Sequence, residues 1–269
     1  MANESSLKSV SRPIGTGTVR RNITPLVMAV AGVMATAALA GAQNSGKGFL
    51  FNKPSGSFSL RGGWAYALAG SDIFDETTSQ LTLSKNDFSS LTFGGDISWF
   101  ASPKFDLVFD GEFARTSKGS EMRDWVDNND QPIEQTTKYR RVPLTVGMRY
   151  YLTDRGHSVS NFAYIPSKYA TYVGAGAGAM YYRFAQDGDF VDFQSQNLAV
   201  RRLTLESSGW APMAHGMAGF DYSLGPWLAL NTEARYQWAR AELDPQVFEG
   251  FEKIDLSGFS GTVGFKVRF

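Results

Sequence analysis

The residues of this chain best placed to do chemistry are carboxylates on one face of a period-two run, Asp106, Asp110 and Glu112, with Asp96 in the run before it. A tight turn at Ser102–Lys104 sets Phe100 opposite Asp106, and therefore Asp96 opposite Asp110. Two carboxylates side by side in a confined space repel unless a cation or a proton intervenes. Arg141 and Arg149 supply the nearest positive charge, and Glu233, Arg235, Lys266 and Arg268 form a second group of mixed sign. Together these ten residues read as a charge network. It is either a salt-bridged filling or a gated polar path for ions and small solutes.

Other chemistries fare worse. Covalent catalysis needs a nucleophile with a positioned base, and the chain has two histidines, His157 and His215, neither in such a setting. The absence of cysteine excludes a disulfide scaffold and a thiolate metal site. The glycines of Gly174–Gly178 alternate with alanine inside a strand, with no helix N-terminus to bind a phosphate. The expectation is therefore a protein without enzymatic activity, cofactor or metal centre. Acidic segments around Asp72, Asp75 and Glu76, around Asp124, Asp127 and Asp130, and around Asp187, Asp189 and Asp192 read as solvated loop charge.

The network has to be positioned by strands, because its members alternate with apolar residues. Phe105, Leu107, Phe109 and Phe113 interleave with Asp106, Val108, Asp110 and Glu112. In the last run, Phe259, Gly261, Val263, Phe265, Val267 and Phe269 interleave with Ser260, Thr262, Lys266 and Arg268. Alternation of this kind places two different solvents on the two faces of a strand. Acids cannot point into a dry hydrocarbon layer, so their face must be wet or paired. The same pattern recurs over about 56–68, 88–100, 105–116, 139–153, 169–184, 209–224, 228–238 and 259–269, which predicts eight strands. Their connections run long, short, long, medium, long, short, long, so with both ends on one side the long loops share the other. The segments 71–87, 117–138 and 241–254 are expected as loops, and 185–208 as a loop whose ends extend strands five and six into a hairpin. An eight-strand cylinder has room for side chains and little else.

At the amino end, Arg20-Arg21 precede an apolar run from Leu26 to Ala40 and a small-x-small site at Ala40-Gly41-Ala42. That order is a secretory signal. The expected organisation is a signal peptide over 1–42, a periplasmic lead over 43–55 and a barrel over 56–269. Beyond residue 42 the chain has 22 basic and 25 acidic residues, and no basic patch or motif points to nucleic acid.

The pieces Arg140–Leu152 (RRVPLTVGMRYYL), Tyr172–Arg183 (YVGAGAGAMYYR), Met217–Leu224 (MAGFDYSL), Thr232–Trp238 (TEARYQW) and the terminal FKVRF resemble the small outer-membrane β-barrel family of the OmpA transmembrane domain, OmpX and OmpW. The resemblance implies an all-β fold, an eight-stranded antiparallel transmembrane β-barrel in a Gram-negative-type outer membrane, among outer-membrane lipid and lipopolysaccharide. It also implies that Phe265 and Phe269 belong to a terminal strand read by the barrel-insertion machinery. Within such a family the implied role is structural or interactive through the outer loops, with an unknown loop partner. A narrow, porin-like pore is the second reading, and a lipid-modifying enzyme a distant third.

Overall fold

A computed structural model describes residues 45–46, 48–127, 130–160, 163–191 and 200–269. The expected signal peptide over 1–42 lies outside the described residues, as does Asp192. Eight long strands form the barrel: β1 (Gly56–Ala67), β2 (Ser90–Phe100), β3 (Phe105–Val126), β4 (Pro132–Tyr151), β5 (Tyr169–Val191), β6 (Val200–Ser223), β7 (Leu228–Ala241) and β8 (Gly258–Arg268). Each pairs antiparallel with its chain neighbour, and β8 pairs with β1, from Arg268↔Ser57 to Gly258↔Ala67. The β6–β7 pairing completes the ring. Every barrel strand thus has a partner on both sides, which removes the exposed edges that an open sheet would present.

The turn at Ser102–Lys104 sets the register the sequence implies, with Phe100↔Asp106 and Asp96↔Asp110. Three parts of the architecture depart from expectation. First, the segment 117–138 is not a loop: it continues β3 and β4 as a ladder from Ser117↔Lys138 to Glu121↔Glu134. The strands run on, but their outward face turns from apolar to polar there, so the alternation that marks them in the sequence fades. The 185–208 segment does extend β5 and β6, from Glu206↔Ala185 to Val200↔Val191. Second, the acidic stretch after β1 contains a helix, α1 (Asp72–Gln80), which buries Ile73, Phe74 and Thr77. Asp72 and Asp75 lie in its first turn, where carboxylates offset the positive helix end. Third, the lead and the long fourth connection meet. Ser45–Gly46, Phe49–Leu50, Ala163–Pro166 and Gly156–Ser160 pair in that order as a four-stranded sheet, joined by Leu50↔Tyr164.

The outward face of the wall has two parts. On β3 the outward residues from Phe105 to Phe113 are Phe105, Leu107, Phe109, Gly111 and Phe113, followed by Arg115, Ser117 and Glu121. On β4 they are Glu134, Thr136, Lys138 and Arg140, then Val142, Leu144, Val146, Met148 and Tyr150. Each apolar stretch covers nine residues, about 30 Å along the strand and about 23 Å along the axis of a barrel tilted near 40°. That matches the height of the apolar band on outer-membrane barrels, roughly 25 Å. Aromatic pairs stand at both of its margins. At the outer one Tyr181 meets Trp210 at 5.5 Å and Tyr236 meets Trp238 at 4.5 Å. At the inner one Phe105 meets Tyr150 at 4.9 Å and Tyr169 meets Tyr222 at 5.2 Å. Such girdles mark the two interfaces of a bilayer, where an aromatic ring has one apolar side and one wet side.

Candidate functional site

The interior is built in layers, and the middle one is ionic. Arg61 donates from Nη1 to Asp96 Oδ2 at 2.7 Å and from Nη2 to Asp110. Arg149 donates to Asp96 Oδ1 at 2.8 Å and to Glu233 Oε2 at 3.0 Å. Arg235 donates to Asp110 Oδ1 at 2.6 Å and to Glu233 Oε1 at 2.7 Å. Each carboxylate therefore sits between two guanidiniums and each guanidinium between two carboxylates. The six side chains close a ring of alternating sign with zero net charge. None is more than 7% exposed. Charges taken out of water are tolerable when paired and hydrogen-bonded on all sides, and guanidinium forks suit this because they present several donors in one plane.

Backbone pattern explains how the ring fits. The facing positions on β5 are Gly174, Gly176 and Gly178, which leave their volume to long side chains from neighbouring strands. A Cβ on Gly176 would lie 2.6 Å from His215 Cε1, and one on Gly174 3.0 Å from Met217 Cε.

Toward the inner end a second layer hangs from the ring. Tyr172 donates to Glu233 Oε2 at 2.9 Å and accepts from Asn231 at 2.9 Å. Asn231, Lys266 and Tyr151 converge on Asp221, at 2.7, 2.7 and 3.1 Å. Below them Arg155, from the fourth connection, pairs with Asp106 at 2.5 Å and lies over the rings of Phe100 and Tyr151. The extra length of that connection is thus used to bring a cation to the inner mouth.

Toward the outer end the filling turns apolar. Phe74 of α1 meets Phe88 at 4.7 Å, Tyr139 at 5.5 Å and Phe184 at 5.8 Å, all edge-on. Met180, Met213, Phe248, Ile254 and Leu256 complete this plug. Water-sized cavities of about 10 Å³ remain on either side of the ring, one between Glu112, Arg141 and Gln237, the other between Tyr151, Arg155 and Lys266.

The ten residues singled out in the sequence all face the interior, but they divide differently from the two groups expected. Asp96, Asp110, Arg149, Glu233 and Arg235 belong to one ring rather than two clusters. Arg141 is not a partner of Asp96 or Asp110. It lies opposite Ala114, over the Tyr139 ring at 5.3 Å, and donates to the Leu256 carbonyl at 3.3 Å. Glu112 accepts from Thr92 at 2.6 Å, with Arg235 4.0 Å away. Asp106 goes with Arg155 and Lys266 with Asp221, while Arg268 donates to Ser223 Oγ at 2.9 Å at the inner rim. Phe265 and Phe269 face outward at the inner end of β8, and the Phe269 carbonyl accepts from the Ser55 and Gly56 amides at 2.8 and 3.2 Å.

Arg61, which closes the ring, escaped the sequence reading. Its signal was present: it is the one charged residue in β1, on the same face as Ser59 and Gly63. Asp221 and Arg155 escaped as well, Arg155 because it stands outside any strand. His215 is buried with neither ring nitrogen hydrogen-bonded, and it lies opposite Gln237, while its neighbour Met217 lies opposite Arg235.

No family model matches the chain, and no curated protein matches it in sequence. Among solved structures it is similar to the outer membrane protein OprG from Pseudomonas aeruginosa, at 17% identity over 81% of this chain and 98% of that one, with a TM-score of 0.42. It is also similar to Neisserial surface protein A, at 10% identity over 80% and 97% with a TM-score of 0.43. Outer membrane protein W of E. coli is a third, at 19% identity over 80% and 99% with a TM-score of 0.38. The closed ring of strands and its inside-out polarity are features of this chain's own fold.

Proposed function

We propose that this protein is an outer-membrane barrel, closed to solutes, that acts through its outer hairpins as a structural or surface-interaction element. The observation that carries this reading is the continuous filling of the cylinder: an apolar plug, a neutral ring of six charges and a tyrosine–lysine–aspartate layer, one above another. A conducting lumen needs a run of mobile water, and a catalytic one needs a polar cleft open to substrate with a nucleophile beside its base. In this interior the six charges of the ring are committed to each other, while His215 and the Nε atoms of Arg61 and Arg149 are buried without a hydrogen-bond partner. The outer ends of β3 to β6 instead carry polar residues well beyond the apolar band and expose Trp125 and Leu203, the kind of surface that meets another molecule.

Liposome swelling with solutes of graded size tests the reading. Swelling no faster than in protein-free vesicles is expected. A rate that falls smoothly with solute size would establish the alternative, a narrow pore, and would overturn closure.

A further inference from the structure

The outward face changes from apolar to polar at one line, and that line is arginine on three consecutive strands. Arg115 pairs across with Arg140, and Arg140 with Arg183. Directly opposed like charges on neighbouring strands, roughly 5 Å apart, repel unless something anionic lies against them. The described carboxylates do not fill that place at the level of the row. Arg183 reaches one step outward to Glu206 at 2.6 Å, and Asp187, two steps out, is engaged by Lys138 at 3.4 Å. Among the described residues no carboxylate lies within 4 Å of Arg115 or Arg140, and the Arg140 guanidinium is set over the Phe113 ring at 5.8 Å. The Nε atoms of Arg140 and Arg183 are shielded from solvent and have no hydrogen-bond partner.

Immediately below the row the wall is apolar and shallow. Phe113, Val142 and Tyr181 come first, and the outward face of β5 then continues as Ala179, Ala177 and Ala175. Anion-seeking guanidiniums above a low apolar strip fit one kind of molecule, an amphiphile with an anionic head and acyl chains.

We propose that Arg115, Arg140 and Arg183 form a site for the phosphorylated headgroup of an outer-leaflet glycolipid, whose acyl chains lie along the alanine strip of β5. Guanidiniums bind phosphate oxygens in pairs and at fixed geometry, so a row of three suits a head bearing more than one phosphate. The proposal rests on the outer-membrane placement argued above and adds a ligand and a residue set to it.

The test uses the folded barrel in nanodiscs, with bis-phosphorylated lipid A or its fully dephosphorylated form as the probe and native mass spectrometry as the readout. Retention of lipid A is expected to fall about thirtyfold in the Arg115→Gln/Arg140→Gln double variant, two basic groups having been removed from a membrane-surface site. Arg202→Gln, on the outer hairpin, should retain lipid A as the wild type does, and the dephosphorylated lipid should be held weakly by all three proteins. Equal retention of lipid A by the wild type and the double variant, or equal retention of both lipids by the wild type, would overturn the site. Failure of the wild type to enter nanodiscs would instead overturn the membrane placement, and is read separately from the lipid count.

Discussion

The barrel has two halves that share one wall and are filled in opposite ways. Where the outer surface is Phe, Leu, Val and Trp, the inside holds a ring of three arginines and three carboxylates. Where the outer surface is Arg, Lys, Glu and Thr, the inside is Phe74, Phe88, Met180, Phe184 and Phe248. Strands β3 to β6 cross from one half to the other in a single register, with Gly111↔Leu144 on one side of the line and Ala114↔Arg141 at it, so strand register is indifferent to the exchange. What changes is the solvent outside. In lipid there is no hydrophobic gain in turning apolar groups inward, and pairing of charges fills the cylinder; in water the ordinary apolar core is the stable filling. One half is held by complementarity of charge, the other by complementarity of shape.

Substitutions that separate charge from shape should break the two halves differently. The largest effect is expected for Arg61→Met, which keeps bulk but leaves Asp96 and Asp110 facing each other with one guanidinium fewer. Removing one partner of a buried ion pair costs about 3–5 kcal/mol, read as a fall in the urea midpoint of the barrel unfolding from vesicles. In the plug, Phe74→Ala should cost about 3 kcal/mol through the cavity it leaves, whereas Phe74→Leu should cost less than about 1.5 kcal/mol. If Phe74→Leu proved as damaging as Arg61→Met, the distinction between the halves would fail. Gly176→Val tests the packing of the ionic half from the side. Its added carbon would meet His215 Cε1 at 2.6 Å and the Val146 carbonyl oxygen at 2.8 Å, and overpacking of this kind costs about 1–3 kcal/mol.

The smallest effect belongs to the outer loop at Asp87. Hydrogen bonds from the Ser84 amide, and then from its hydroxyl, hold the Asp87 carboxyl below the usual carboxylate range. A lowered folded-state value adds stability above the unfolded pKa and loses it as pH falls through the folded one. A slight acid-side destabilisation below about pH 4 should therefore vanish in Asp87→Asn. The Asp87 side chain is half-buried and still reached by solvent, which screens it, so the change should be the weakest of the series.

How much of this was legible in the sequence follows from the same contrast. Strand positions within the lipid band were readable because Phe105 to Phe113 and Val142 to Tyr150 alternate strongly with polar partners. The Asp96–Asp110 pairing was readable because a short turn fixes register. Beyond the arginine line the alternation weakens: Ser117, Gly119 and Glu121 outside face small and polar groups inside, and the continuing strands read as a charged loop. Helix α1 was hidden by its acids, with Ile73 and Phe74 too few to show a period. Membership of the charge ring was only partly readable. Alternation says which residues face inward, while the partner each one finds depends on side chains reaching across the cylinder, as Arg149 does to Glu233 at 3.0 Å.

The central claim is that the outward face of one unbroken strand passes from lipid to water at the arginine line. The chain has no native cysteine, so single cysteines at Glu134, Thr136, Lys138, Leu144, Val146 and Met148 of β4 can each carry a nitroxide. Relaxation by lipid-soluble oxygen and by a water-soluble nickel chelate is then compared along the series. The prediction is that nickel dominates at positions 134, 136 and 138 and oxygen at 144, 146 and 148, with the crossing between Lys138 and Leu144. Nickel accessibility that stayed uniform along all six positions would contradict the account.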